Sequence, residues 1–149
     1  MESYMNRISN TGIVPVVKIL EKEDAYPLAK ALLNGGIDVI EVTYRSEHAT
    51  SAIQTISEQL PDMLVGAGTV LSVEQAKEAV EAGAKFIITP GFNTKVVQWC
   101  LDHDVEVYPG VSTASEVEMA LSMGLTQLKF FPAESSGGAK KLKDLSAPY

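Results

Sequence analysis

Short runs of β-branched and other apolar residues alternate along the chain with longer stretches whose apolar residues recur at helical spacing. This alternation predicts parallel strands joined by crossover helices, the pattern of an α/β fold. Six strands are predicted, over residues 14–19, 39–43, 64–69, 86–89, 106–108 and 127–131. Five helices are predicted between them, over Ala25–Asn34, His48–Gln59, Val73–Ala82, Thr94–Asp102 and Ser115–Met123.

Glycines follow three of the predicted helices and precede the next strand, as expected where a helix ends in a left-handed residue. They are Gly35 with Gly36, Gly83, and Gly124. Counting five residues on from the last glycine of each group gives Glu41, Ile88 and Lys129. Two equivalent strand positions of an internal repeat therefore carry opposite charges.

Parallel strands with short crossovers form either an open doubly wound sheet or a closed (β/α)8 barrel. The segment Gly66-Ala-Gly68 lacks the third glycine of a dinucleotide-binding loop, and no P-loop pattern is present, so we favour the TIM barrel. Strand starts recur about every 23 residues, so eight βα units need about 195 to 200 residues. The 149 residues therefore predict a single partial barrel domain over 1–149 with about six units.

Charge and composition exclude several classes of partner. Nineteen acidic residues against twelve basic ones give a net charge of −7, which argues against nucleic acid. No apolar run approaches the roughly 18 residues of a membrane span, and Met1–Thr11 has no apolar segment of a secretion signal. A single cysteine, Cys100, excludes an intrachain disulfide. These features predict a soluble cytoplasmic protein with neither a membrane nor a nucleic acid as partner.

Charged residues within apolar strands are the candidate chemistry. Alternation puts Glu41 on the same side of its strand as Val39, Thr43 and Arg45, and a barrel directs that side into its lumen. Lys129 lies in another apolar strand, where burial of its amine is costly. One interpretation is a buried Lys–Glu pair that fixes strand register. The other is Schiff-base catalysis, in which a neutral lysine amine attacks a ketone.

An apolar pocket promotes the second interpretation because it disfavours the charged ammonium. An ionised Glu41 opposes this effect, since a nearby carboxylate favours the ammonium. The same carboxylate can carry protons during the reaction. The residues alone leave both interpretations open.

Several motifs, in order and at βα spacing, resemble those of bacterial 2-keto-3-deoxy-6-phosphogluconate (KDPG) and 4-hydroxy-2-oxoglutarate (KHG) aldolases, class I enzymes built on a (β/α)8 barrel. The resemblance runs from about Thr11 to Tyr149. It is carried by Gly12–Val17, Gly35-Gly36, Glu41–Arg45, Val65–Leu71, Pro90-Gly91, Pro109–Thr113 and Lys129–Glu134. The combination favours Schiff-base chemistry over a structural ion pair.

The resemblance implies reversible cleavage of KDPG to pyruvate and glyceraldehyde 3-phosphate, or of KHG to pyruvate and glyoxylate. Lys129 matches the family's imine-forming lysine and Glu41 its general acid and base. Arg45 and Thr69 match the positions that hold the pyruvate end, where a guanidinium and a hydroxyl suit a carboxylate. Without the resemblance, a solvated charge at the barrel rim is an equally good interpretation of Arg45.

Pro90 and Phe131 match residues that shape the apolar wall of the family's pocket, and ordinary barrel packing is the other interpretation of both. The resemblance implies no metal or organic cofactor, and a homotrimer. His48, His103 and Cys100 receive no role, since they form no metal-ligand set and no activated thiol. The residues Glu134–Gly138 before a lysine-rich stretch are a weak signal for anion binding.

Family members contain two further βα units, whose loops form the usual phosphate site of a barrel. In a flat six-stranded sheet, Glu41 and Lys129 would lie about 19 Å apart, so barrel closure is expected to be needed to bring them together. Open strand edges also favour an alternative: a catalytically incomplete fragment that associates with itself or with a complementary chain. A third hypothesis is a phosphate-binding barrel isomerase of another family, in which Lys129 only forms an ion pair.

Overall fold

The computed structural model describes residues 4–149 and contains the six predicted parallel strands. They are β1 (Val16–Val17), β2 (Val39–Thr43), β3 (Leu64–Gly68), β4 (Phe86–Thr89), β5 (Glu106–Val111) and β6 (Lys129–Phe130). The helices are α1 (Tyr4–Thr11), α2 (Ala25–Asn34), α3 (Ala49–Gln59), α4 (Val73–Glu81), α5 (Thr94–Asp102), α6 (Ala114–Ser122) and α7 (Gly138–Leu145), with a 3-10 turn at Lys22–Asp24. Residues 1–3 of the segment scanned for a secretion signal lie outside the described residues.

The strands form one sheet in chain order from β1 to β6, and every neighbouring pair is parallel. Helices α2 to α6 cross over between consecutive strands and α7 follows β6, so the chain forms six βα units of a half-barrel. Within residues 4–149, the outer edges of β1 and β6 pair with no further strand. The prediction of about six units is confirmed, and these two edges are where the sheet stays open.

The ends of several elements differ from the sequence-based expectation. Strand β1 is shorter than the predicted 14–19, and β6 is shorter than the predicted 127–131, because each is an edge strand with a hydrogen-bonding neighbour on one side only. Strand β5 instead continues past the predicted end at residue 108 and includes Pro109. It lies between β4 and β6, and pairing to both neighbours keeps its backbone extended.

Three of the glycines predicted to end helices in the left-handed region do so, with φ of 83° at Gly36, 108° at Gly83 and 82° at Gly124. Gly35 does not, since its φ is −84°. Each left-handed residue turns the chain directly from a helix into the following loop and strand.

Apolar residues pack on both faces of the sheet. The larger core lies between the sheet and its helices, with residues such as Ile40, Val42 and Ile87 completely buried. A smaller cluster lies on the concave face and consists of Val39, Leu64, Phe86, Ile88 and Tyr108. The concave face is therefore apolar near the amino-terminal ends of the strands.

The unpredicted helix α1 covers this second cluster through Tyr4, Met5 and Ile8. Arg7 forms an ion pair with Asp38 just before β2, with an Nε–Oδ2 distance of 2.7 Å. The Thr11 hydroxyl donates to the same carboxylate at 2.6 Å, and this bond, with the Arg7 charge, lowers the pKa of Asp38. Helix α1 is thus held against the amino-terminal end of the half-barrel.

Two glycines of β3 face the concave side, where neighbouring side chains occupy the space of a Cβ. A Cβ at Gly66 would overlap the ring of Phe86, and one at Gly68 would overlap the carboxylate of Glu41. The Gly66-Ala-Gly68 motif therefore serves close packing rather than nucleotide binding.

Among residues 4–149, no helix is both long and apolar enough to cross a membrane.

We expect Gly66→Ala to lower the free energy of unfolding by about 1 to 3 kcal/mol, because the new Cβ would overlap the completely buried Phe86 ring and force it to shift. Urea unfolding followed by circular dichroism measures the change. Gly91→Ala is the matched control, since no atom lies within 4 Å of its Cβ position and its φ is not left-handed. Equal stabilities of the two variants would contradict this packing account.

Candidate active site

The curved sheet brings together a carboxylate and an amine from strands that are not neighbours. Lys129 Nζ of β6 lies 3.5 Å from Glu41 Oε1 of β2, across the concave face. Three strands separate β2 from β6, and a flat sheet would hold them about 19 Å apart. The expectation that this contact needs eight closed strands is wrong, because the curvature of six strands is sufficient.

The amine of Lys129 is neither sealed under side chains nor surrounded by bulk solvent. Its side chain is 27% exposed, and Nζ lies 5.1 Å from the centre of the Phe131 ring. That distance is within the range of a cation–π contact for the ammonium form. A small molecule that enters along the concave face can reach this nitrogen.

Glu41 is buried far more deeply than its partner. Its side chain is 3% exposed, and Oε1 has no hydrogen-bond partner among the residues described. The 3.5 Å to Lys129 exceeds the usual 2.7–3.2 Å of an N–H···O hydrogen bond, so the contact is an ion pair without that bond. One carboxylate oxygen is therefore buried beside the amine without a hydrogen bond to satisfy it.

Burial determines the protonation of this carboxyl group. It raises the pKa of Glu41, while the charges of Lys129 and, more weakly, Arg45 act in the opposite direction. A raised carboxyl pKa brings the group closer to neutral pH, where it can both take up and release a proton. This property suits a general acid and base.

Arg45 lies just beyond β2 at the carboxyl end of the sheet and is exposed. Its Nε donates to the Thr43 hydroxyl at 3.2 Å. Among residues 4–149, no carboxylate lies within 4 Å of its guanidinium. Its terminal nitrogens are therefore open to a ligand, and its charge still acts on Glu41.

The other three predicted site residues also lie directly after strands at this end of the sheet. Thr69 follows β3, Pro90 follows β4 and Phe131 follows β6. Thr69 has a φ of 55°, a left-handed conformation that is strained for a β-branched residue. Phe131 is 42% exposed and adjoins the Lys129 amine. Phe131 is thus placed beside the amine, whereas Thr69 and Pro90 lie at the ends of other strands of the sheet.

Comparison with known proteins agrees with this geometry. A family model described as KDPG and KHG aldolase matches residues 4–149. The 2-dehydro-3-deoxy-phosphogluconate aldolase of Treponema pallidum is 46% identical over 149 residues, which is all of this chain and 71% of that protein. The KHG/KDPG aldolase of Escherichia coli K12 is 43% identical over 143 residues, covering 95% of this chain and 67% of that protein.

The chain belongs to the KDPG and KHG aldolase family.

Among solved structures, the KDPG aldolase of Legionella pneumophila is 42% identical with a TM-score of 0.89. The match covers 91% of this chain and 66% of that one. The Legionella structure holds pyruvate captured at low pH as a covalent carbinolamine intermediate. The chain thus has the family fold over about nine tenths of its length and spans about two thirds of the length of such relatives.

Two residues of this aldolase-family site were not assigned a role from the sequence. Thr43 is completely buried and contacts Arg45, and Gly68 provides the space that the Glu41 carboxylate fills. Strand alternation places Thr43 beside Glu41, which is a usable signal for a polar residue in an apolar strand. Gly68 could be found only by knowing which side chain of the neighbouring strand faces it.

The cysteine and the two histidines, for which no role is predicted, pack or pair elsewhere in the fold. Burial raises the pKa of Cys100 to about 12, so its thiol stays protonated at neutral pH. The ring of His103 stacks on Trp99, and His48 lies beside Glu47. In the part of the chain that is described, no three His, Cys, Asp or Glu side chains are grouped as a metal site.

The weak anion-binding signal at Glu134–Gly138 lies at the start of α7. The carboxylate oxygens of Glu134 lie 3.5 and 3.7 Å from the Cβ position of Gly138, the first residue of that helix. Lys140 pairs with Asp144 one helical turn away. Since a carboxylate of the chain itself is already at this helix end, the arrangement does not favour an external anion there.

We expect Glu41→Gln to raise the melting temperature at pH 7, by about 2–4 °C for each kcal/mol gained in a chain of this size. Burial raises the pKa of Glu41, so the folded chain keeps this proton to a higher pH than the unfolded chain. Its contribution to stability is therefore present below the ordinary glutamate pKa and is lost as the pH rises through the folded value. Melting curves from pH 4 to pH 8 test this.

Glu116→Gln is the matched control because its shift has the opposite sign. Hydrogen bonds from the Ser112 amide, and then from the Thr113 hydroxyl, lower the pKa of Glu116. Its contribution to stability is therefore present above the ordinary glutamate pKa and is lost as the pH falls. If both variants changed the pH profile in the same direction, the burial account of Glu41 would be wrong.

Proposed function

We propose that this chain is a class I aldolase that cleaves KDPG to pyruvate and glyceraldehyde 3-phosphate, and KHG to pyruvate and glyoxylate. The observation that carries the proposal is the Lys129 amine, partly exposed on the concave face and 3.5 Å from the buried Glu41 carboxylate. Family membership and the names of the relatives support it. The Legionella relative, with pyruvate held as a carbinolamine, supports the covalent route.

The reaction begins when the neutral Lys129 amine attacks the keto carbon of the substrate. A C–N bond forms and the carbonyl electrons move to oxygen. The oxygen then takes a proton from the Glu41 carboxyl and the attacking nitrogen returns one to it, which gives a carbinolamine and leaves Glu41 protonated. Glu41 then protonates the departing hydroxyl group, water leaves, and a protonated imine remains. The buried carboxyl suits both transfers because its raised pKa lets it hold a proton and give it up again.

Cleavage uses the imine as an electron acceptor. Glu41, now ionised, removes the proton from the C4 hydroxyl, and the C3–C4 bond breaks to release the aldehyde. The bonding electrons pass to the imine nitrogen and form an enamine. Protonation at C3 and addition of water to the restored imine then release pyruvate and the free amine, so neither a redox change nor a cofactor is required.

The remaining site residues bind the keto acid in this proposal. Arg45 holds the carboxylate through its unpaired guanidinium nitrogens, and the Thr69 hydroxyl donates to the same group. Pro90 and Phe131 form the apolar wall beside the amine. The left-handed backbone at Thr69 supports such a role, because strain of this kind is concentrated at functional sites.

The complete catalytic unit is proposed to be a closed (β/α)8 barrel. Further βα units would fill the gap between β1 and β6 and contribute the contacts to the distal end of the substrate. We also propose that the enzyme is a cytoplasmic homotrimer. One similar solved structure, 29% identical with a TM-score of 0.83, is a protein cage designed by fusing symmetric oligomeric domains.

We expect sodium borohydride to trap pyruvate on Lys129. Incubation with both compounds should add the mass of one reduced pyruvate imine, and peptide mass spectrometry should locate it at this residue. Lys129→Arg should abolish the addition, because a guanidinium does not form the imine. Lys140→Arg, at an exposed lysine of α7, should leave the trapped fraction unchanged. A wild-type chain that is folded but gains no mass at Lys129 would overturn the proposed function.

A second candidate function is association without catalysis, and the exposed apolar side chains near the open edges favour it. Around β1 these are Ile13, Val16 and Leu20, which are 63%, 51% and 62% exposed. Beyond β6 they are Phe131, Leu142 and Tyr149. Large exposed apolar side chains beside unpaired strand edges promote association with another chain.

If the open edge drives association, Val16→Lys should shift the sedimenting species from oligomer to monomer. A lysine on an edge strand opposes pairing because its charge would have to be buried. Leu71→Lys is the matched control, since Leu71 is 56% exposed but lies in the loop after β3, away from both edges. Analytical ultracentrifugation distinguishes the variants, and a monomeric wild type would contradict this second function.

A further inference from the structure

We infer that Thr43 is the positioning residue of Arg45, which fixes its guanidinium to receive the carboxylate of the keto acid. The inference rests on the proposed function, because it assigns Arg45 a ligand. Thr43 is the last residue of β2 and is completely buried. It shares a strand face with Glu41, two residues earlier.

The hydrogen bonds of the Thr43 hydroxyl fix the direction of this contact. The hydroxyl donates its one hydrogen to the main-chain oxygen of Val17 in β1, at 2.8 Å. Its lone pairs are then left to accept, and Arg45 Nε donates to them at 3.2 Å. The chain of bonds therefore runs from the guanidinium through the hydroxyl to the backbone of β1.

This arrangement restrains a side chain that would otherwise be mobile. Arg45 is exposed and, within the described residues, has no carboxylate within 4 Å, so no ion pair holds it. An arginine side chain loses considerable conformational entropy when it binds a ligand. Because Nε is already held in place, less of this entropy remains to be lost when the ligand binds. The terminal nitrogens remain free for a bidentate contact with a carboxylate.

The position of Thr43 makes it a rigid support. Threonine is β-branched and stiff at χ1, and this one lies in a strand that pairs with neighbours on both sides. Its acceptor, Val17, belongs to a strand of only two residues at the edge of the sheet. The hydroxyl therefore also ties the orientation of Arg45 to the placement of β1.

The test measures how borohydride trapping on Lys129 depends on pyruvate concentration. Thr43→Val keeps the shape and removes the hydroxyl, and it should raise the half-saturating pyruvate concentration about 3- to 10-fold with the maximal trapped fraction unchanged, as expected for loss of one ordinary hydrogen bond. Thr43→Ser retains the hydroxyl and should restore wild-type saturation. No change in Thr43→Val, or no rescue by Thr43→Ser, would overturn the inference.

Two further measurements separate positioning from general loss of structure. Trapping of acetone, a ketone without a carboxylate, should be the same in Thr43→Val and wild type, since Arg45 has nothing to bind there. In an Arg45→Ala background, Thr43→Val should cause no additional loss for pyruvate. Equal weakening for acetone, or an additive loss in the double variant, would show that Thr43 acts on the fold instead.

The result for the wild-type chain distinguishes failure of the proposed function from failure of the positioning role alone. If wild type gives no pyruvate adduct at Lys129, the proposed function fails, and with it the assignment of a ligand to Arg45. If wild type is trapped normally and the Thr43 variants saturate like it, only the positioning role fails. Should Thr43→Val not fold, Thr43→Ala provides a second variant without the hydroxyl, and the same saturation and acetone comparisons decide.

Discussion

The carboxylate of Glu41 can lie buried opposite a lysine only because the strand beside it carries no side chain at the position it occupies. A Cβ at Gly68 would overlap this carboxylate, so the glycine determines where the acid can be placed. Curvature of the sheet then brings β6 across the concave face and sets Lys129 within 3.5 Å. Strand geometry, glycine placement and charge thus depend on one another at a single contact.

This contact costs stability, and the site shows further costs of the same kind. Burial disfavours the charged form of Glu41, and its Oε1 lacks a hydrogen-bond partner among the residues described. Thr69 adopts a left-handed backbone that its branched side chain disfavours. The apolar contacts of the large core on the helical side of the sheet offset these costs. These destabilising features lie towards the carboxyl ends of the strands, where the proposed reaction takes place.

Much of this arrangement could be predicted from the sequence, because periodicity and helix-ending glycines are local signals. Strands β2 and β4 and helices α2 and α5 have the predicted bounds. Helix α1 was missed because its residues, YMNRISNT, are largely polar and its few apolar ones face a cluster assembled from distant strands. The continuation of β5 through Pro109 depends on its two neighbours, which no local pattern reveals. For the same reason the contact between Thr43 and Arg45, the curvature and the role of Gly68 required the three-dimensional structure.

Helix α1 covers only one end of the concave face, so the two ends of the half-barrel differ. Tyr4, Met5 and Ile8 cover the apolar cluster at the amino-terminal end, and the Lys129 amine lies towards the opposite end. The amine therefore has an apolar cluster on its amino-terminal side and the open end of the half-barrel on the other. Removal of this single short helix would hydrate Val39 and Phe86 from behind, raise the local dielectric constant and weaken every charge interaction in the site, without touching a reacting atom.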